Sequence, residues 1–334
     1  MSHEIETMAY AGKVPWHGLG EKVEDNMTPE EMLVAAGLDW SVSKRQAYTV
    51  DKPNCWNIID PTGEAQFIKC EDHYYVVRDT DNKVLSHCKD SYVPFQNKEV
   101  MSFFKKFTDA GQMTMETAGS LKNGKEIWGL AKISSDFKLA GGDHVESYLL
   151  LNNSHSVGKA MTIMLTPIRV VCNNTLQIAL RDGSMSYRIP HVRMFDEEII
   201  QSAEQALGLS TEQMKTFKEQ SEFLASKKAK DKEVDTFVAE LFQPSLVGAD
   251  NIREALTNTA DTVRRAIETS PGAELSSSKG TWWGALNGVT YVMDHTKRAK
   301  EKEEGNALHS AFFGSGANLK RKALTRAIEY AKAA

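Results

Sequence analysis

Apolar positions recur with two different periods along this chain: they alternate through much of the first 195 residues and fall at helical spacing from Asp196 onward. In EIWGLAKI (126–133), Ile127, Gly129, Ala131 and Ile133 share one face of a strand, and Trp128, Leu130 and Lys132 share the other. Asn123-Gly124, the commonest two-residue turn, precedes this stretch, and together they predict a β-hairpin. Further strands are expected near 56–59, over HYYVVRD (73–79) and VLSHC (84–88) with a polar turn between them, and in SYLLLNNSHS and KAMTIMLTPIRVVC. Pro167 has no N–H to give a ladder, so its point in the last strand should be an edge or a bulge.

Helices have their own signals. Thr28-Pro29-Glu30-Glu31 is a capping box with proline at the first helical position, and Gly37 should stop the short helix it starts. NKEVMSFFKKFTDAG sets Val100, Phe103, Phe104 and Phe107 at helical spacing with Gly111 beyond them, so one helix packing on the sheet is expected. CNNTLQIALRD should pass from strand into a helix capped by Asn173 or Asn174. After Asp196, breaks are expected at Gly208–Ser210, Pro244, Pro271-Gly272 and Gly314–Gly316. The architecture these patterns predict is α+β: a core domain over 1–195 with an antiparallel, hairpin-rich sheet and packed helices, then a mostly helical region over 196–334 ending in a basic tail.

Composition changes this picture little. The 334 residues are 41% hydrophobic and 25% charged, enough for one large or two medium cores. No apolar run reaches about 18 residues and the first residues lack an apolar leader, so no membrane segment and a cytoplasmic location are expected. Cys55, Cys70, Cys88 and Cys172 show no Cys-x-x-Cys spacing, which argues against a zinc knuckle or a disulfide framework.

Charge is more informative. The net charge of −5 conceals a split: residues 279–334 hold ten basic and five acidic residues (+5), leaving 30 basic and 40 acidic elsewhere (−10). A basic tail on an acidic body predicts an anionic partner for the tail.

Gly119 and Gly124-Lys125 have the spacing of a nucleotide-binding phosphate loop, but Glu126 stands where its magnesium-holding hydroxyl is needed. His17 in WHGLG has no second ligand at metal spacing. Cys172, before a helix start, could form a nucleophilic pair with His155, although a buried cysteine is the plainer reading. Asp79, Asp81, Glu116 and Glu126 do not make a nuclease string. No metal, cofactor or catalytic residue is therefore assigned. The remaining signal is basic: Arg169, Arg181, Arg188, Arg193, Lys297, Arg298, Lys300, Lys320, Arg321 and Lys322 as phosphate-neutralising residues, with Tyr187, Trp282, Trp283 and Tyr291 as aromatics for base stacking. The two tryptophans, set with Leu286 and Val289 at helical spacing, read more simply as core.

The segments MAYAGKVPWHGLG, AAGLDW, ETAGSL, SYLLLNNSH, TPIRVVCNNTL, GTWWGALNGVTYVMDH and FFGSGANLKRKAL together resemble a family of phage- and plasmid-encoded proteins of unknown function. That resemblance implies a mobile-element protein of the bacterial host cytoplasm, expressed with replication or recombination genes, and it carries no catalytic assignment. In outline, the order of elements is similar to that of single-strand annealing proteins of phages, an analogy at the level of fold. The function expected is thus an ATP-independent DNA-binding accessory protein of phage or plasmid recombination or replication, extending to single-strand annealing, with single-stranded DNA as partner and a homo-oligomeric state. The rival expectations are a host-interaction or anti-defence protein without DNA binding, and a cysteine/histidine-dependent enzyme.

Overall fold

The computed structural model describes residues 5–12, 20–50, 67–169, 174–175, 186–296, 310 and 314–333. The strand expected at 56–59, most of the helix expected after Cys172, and His17, Cys55, Cys172, Arg181, Lys297, Arg298 and Lys300 lie outside the described residues. No described helix is long and apolar enough to cross a membrane.

The chain runs through β1 (Ile5–Tyr10), β2 (Glu21–Lys22) and α1 (Pro29–Ala35), then β3 (Val42–Val50), β4 (Phe67–Arg78) and β5 (Val84–Lys89). The last three form a small antiparallel sheet in the order β3-β4-β5. Two short helices, α2 (Asn97–Ser102) and α3 (Lys105–Asp109), lead into β6 (Met113–Leu121), β7 (Glu126–Leu139), β8 (Asp143–Ser154), β9 (Met161–Arg169), β10 (Asn174–Thr175) and β11 (Ser186–Ile189). The large sheet has the order β10-β9-β8-β7-β6-β1-β2, with β11 also paired to β9, and its pairs are antiparallel except β1–β2. Helices α4 (Glu197–Ser226), α5 (Asp231–Phe242), α6 (Ile252–Ala255), α7 (Asn258–Thr269), α8 (Trp282–Tyr291) and α9 (Ser315–Ala333) follow, with a π-turn over Val292–Thr296 after α8. The architecture is α+β, with antiparallel sheets and a helical C-terminal region.

Local signals act where they were expected. In α1, the Glu31 N–H donates to Thr28 Oγ1 at 3.2 Å and the Thr28 N–H donates to Glu31 Oε2 at 2.8 Å, closing the capping box. Gly37, at φ +63°, ends the turn as the Leu38 N–H donates to the Leu33 carbonyl at 2.9 Å.

Four expectations are corrected. The hairpin between β6 and β7 pairs Leu121 with Glu126, so four residues turn the chain instead of two, with Lys122, Asn123 and Gly124 all at positive φ. The helix expected over 97–111 divides at Phe103-Phe104, where the Phe103 and Phe104 N–H groups donate to the Val100 and Met101 carbonyls three residues back, and both rings are fully buried. Conversely, α4 runs unbroken through Gly208–Ser210, because one interior glycine costs only about 1 kcal/mol against the rest of a long helix. Asn174 lies in β10, paired with Arg169.

Pro167 sits inside β9, opposite Ser147 of β8. On the outer side of β9, β11 pairs as far as Met164 and β10 begins at Ile168, so the proline occupies the interval without a ladder partner among the described residues.

The strand periodicity sorts the two faces of the large sheet as expected. Ile127, Ala131, Leu149, Leu151 and Ile163 pack with Met32, Val100, Phe103, Phe104 and the small sheet. Farther along the strands, Phe137, Leu139, Val145 and Leu165 enter a second core with Phe217, Phe237, Trp282, Trp283 and Leu286. Met8, Tyr10, Trp128, Leu130, Tyr148, Leu150 and Met164 cluster on the opposite face. Sheet and helices are further tied at buried Asp143, whose Oδ2 accepts from Ser277 Oγ at 2.7 Å and Trp283 Nε1 at 2.9 Å. Trp282 and Trp283 are therefore core, and neither is a stacking platform.

Candidate nucleic-acid interface

The basic residues singled out in the sequence meet different fates. Lys320 is wholly buried on α9, its ammonium donating to Asp294 Oδ1 at 2.7 Å, so it is an internal ion-pair partner and no phosphate contact. The helical period places Lys320 on the core-facing stripe with Ala323, Leu324 and Ala327. Its neighbours differ: Arg321 is half-buried and Lys322 exposed. Arg193 is exposed but engaged, donating to Glu198 Oε2 at 3.2 Å. Arg169 ends β9, its backbone paired to Val145 and Asn174. Tyr187 is partly buried against the main core, and Tyr291 lies 4.8 Å from the ring of His295.

Arg188 is exposed on β11 at the margin of the large sheet, and Arg321 of α9 lies within reach of its charge. The Arg321 guanidinium is held below its usual range first by burial and then by the charge of Arg188, while its Nη2 donates to Asn318 Oδ1. Guanidinium groups offer a planar fork of donors matched to phosphate oxygens. Nothing local in the sequence signals this coupling between β11 and α9.

The carboxylates considered for nuclease chemistry are dispersed. Asp79 accepts from Ser41, Ser43 and Arg45, Asp81 pairs with Arg78, and Glu126, far from solvent-facing, is buried and bound by Lys122 and Lys159. Glu116 lines a cavity of about 560 Å³ with Asp25, Lys132 and Asp136. Register shifts in β6 and β7 flank this cavity, so it was invisible to simple alternation. Burial raises the Glu116 carboxyl above its usual range. Among the described residues no group of three or more His, Cys, Asp or Glu side chains could hold a metal ion.

His155, a candidate base, is instead a core residue. Its Nε2–H donates to Asn97 Oδ1 at 2.9 Å, the Asn97 amide donating in turn to the Leu38 and Trp40 carbonyls. His191 is buried too, bonded through Nδ1 to the Val93 carbonyl at 3.1 Å and stacked on Tyr92. Burial pulls the imidazole of His155 down to about 3 and that of His191 down to about 4, from an ordinary 6.5. The unfolded chain therefore takes up these protons near pH 6.5 while the folded chain does not. Stability is expected to be full above pH 6.5 and to fall toward pH 4, by about 1.4 kcal/mol per pH unit for each histidine. Urea unfolding between pH 7.5 and 4.5 checks this, and His191→Phe should flatten the slope.

The class of protein is thus defined by its fold: an α+β protein with a large antiparallel sheet and a helical C-terminal region. The chain belongs to the family described as Domain of unknown function (DUF932), which matches residues 84–312, from β5 to beyond α8. No curated protein and no solved structure matches it.

Proposed function

We propose that the protein is an ATP-independent DNA-binding accessory factor of phage or plasmid recombination or replication, with single-stranded DNA held along the seam of Arg188, Arg321 and Lys322. The reading rests on exposed Arg188 and Lys322 and half-buried Arg321, with the charge of Arg188 adding to burial in holding the Arg321 guanidinium below its usual range. The motif resemblance supports the mobile-element setting. A seam of three cations is small, so useful affinity for a strand requires several copies in a row, which favours a homo-oligomer and extends the role to strand annealing.

The test is equilibrium binding of a labelled single strand and its duplex over a range of salt, without ATP. Replacing Arg188, Arg321 and Lys322 together with alanine should lower the salt slope for the single strand by about 2, at roughly 0.7 per phosphate contact. An unchanged slope would assign the seam to solvent, and absence of binding at low salt would turn attention to a host protein as the partner.

A further inference from the structure

The small sheet turns one face away from the core. Its register sets Arg45 of β3 opposite Tyr75 of β4 and Tyr75 opposite His87 of β5, with His73 opposite Lys89 in the neighbouring row. Directly paired residues of antiparallel strands project from the same face, as do residues two apart in one strand, so these five side chains share it. The alternate positions Tyr74, Val76 and Cys88 pack into the main core.

The rings on this face stay open to solvent: Tyr75 is 37% exposed and His87 is exposed. His73 stacks on His87 with 5.0 Å between ring centroids and 14° between planes, and Tyr75 meets His87 edge-on at 5.7 Å and 60°. Cross-strand ring pairs support a sheet, but they leave their outward surfaces in water, where valine, isoleucine or threonine would serve the strands as well. Cations stand at the two sides, and no carboxylate shares the five positions. Arg45 is braced by Ser43, Asp79 and Asn82 through one N–H on each nitrogen, so each terminal nitrogen keeps a second donor. Lys89 is exposed on the far strand. Beside that strand, His87 and Lys89 line a cavity of about 570 Å³ with Lys159, Pro190 and Val192. Pro190 follows directly on β11, so the cavity lies between this face and the strand that carries Arg188.

We infer that Tyr75, His87 and His73 form a stacking platform for the bases of a single strand, with Arg45 and Lys89 taking its phosphates. Resting on the DNA-binding reading, the platform gives the strand a second footing apart from Arg188, Arg321 and Lys322. Every base has a π-face, so rings on an open sheet hold unpaired bases of any sequence, whereas a duplex keeps its bases stacked on one another. Three strands about 4.8 Å apart and alternate residues about 6.8 Å apart give the platform an extent of about 10 by 7 Å, room for about two bases. Unpaired RNA offers the same bases and phosphates, and the two sources separate by experiment.

The experiment measures binding of the full chain at low salt to an oligothymidylate and to an abasic oligonucleotide of equal length, which keeps the phosphates and lacks the bases. Wild type should bind the oligothymidylate about tenfold tighter, and Tyr75→Ala should lose most of that preference while binding the abasic strand as wild type does. Tyr75→Phe keeps the ring and should retain the preference, which separates stacking from damage to the sheet. His87→Ala, on the edge strand, should lose part of it independently. Replacing Arg188, Arg321 and Lys322 should weaken both oligonucleotides alike. Equal binding of the two by wild type, or a preference unchanged in both Tyr75→Ala and His87→Ala, overturns the platform and leaves the seam standing. An oligouridylate run in parallel tells DNA from RNA: equal or weaker binding supports the footing for DNA, and tighter binding overturns it in favour of RNA. Absence of binding to any of these strands overturns the platform and the DNA-binding reading together.

Discussion

Lys320→Ala is expected to destabilise the protein by about 3–5 kcal/mol, although a lysine in a basic helix would ordinarily be a harmless surface change. The ammonium has no solvent exposure and meets the equally buried Asp294 at 2.7 Å. Burial pulls the lysine below its usual range, and the aspartate's charge and hydrogen bond oppose that pull. Alanine removes the cation and leaves a carboxylate in the core with its principal counter-charge gone. Asp294 occupies the π-turn that follows α8, so the pair fastens α9 to the end of that helix. Denaturant unfolding measures the loss. The double replacement Lys320→Met, Asp294→Leu should recover most of it, because an apolar pair of similar volume avoids the desolvation cost of two charges. If Lys320→Ala unfolds at the wild-type midpoint, the ammonium is on the surface, and the tail charge must be counted again.

Gly288→Ala is expected to cost about 3 kcal/mol, against the intrinsic preference of a helix for alanine of about 1 kcal/mol. A Cβ at this position of α8 would stand 2.3 Å from Ile267 Cγ1 and 2.8 Å from the Ile267 backbone N and Cα. The neighbouring helix α7 thus lies directly on the glycine, and its backbone cannot yield as a side-chain tip does. Gly284, one turn earlier, is closer still: its Cβ would stand 2.0 Å from the Ser278 carbonyl oxygen. Thermal unfolding of Gly288→Ala alone and with Ile267→Ala separates the two parts of the clash. Relief of only a fraction by Ile267→Ala identifies the backbone contact as the larger part, whereas stabilisation by Gly288→Ala would mean that α7 and α8 are not in close contact.

These residues show where local pattern stops. The sequence by itself determined the class of fold, because alternation in EIWGLAKI, the Thr28–Glu31 capping box and the helical stripe at Trp282, Trp283, Leu286 and Val289 are short-range consequences of strand and helix geometry. It also excluded a phosphate loop at Gly119–Glu126, since a turn between strands presents no helix start to a nucleotide. It did not separate Lys320 from Arg321 and Lys322: three consecutive cations look alike until the helix is rotated against its neighbours, and a rotation of about 100° per residue carries one of them into the core. Nor did it show that the charge of Arg188 on β11 reaches Arg321 on α9. Charge count and periodicity are properties of the chain, whereas adjacency between strands and helices distant in sequence comes only from register and packing, and the tertiary structure alone decided it.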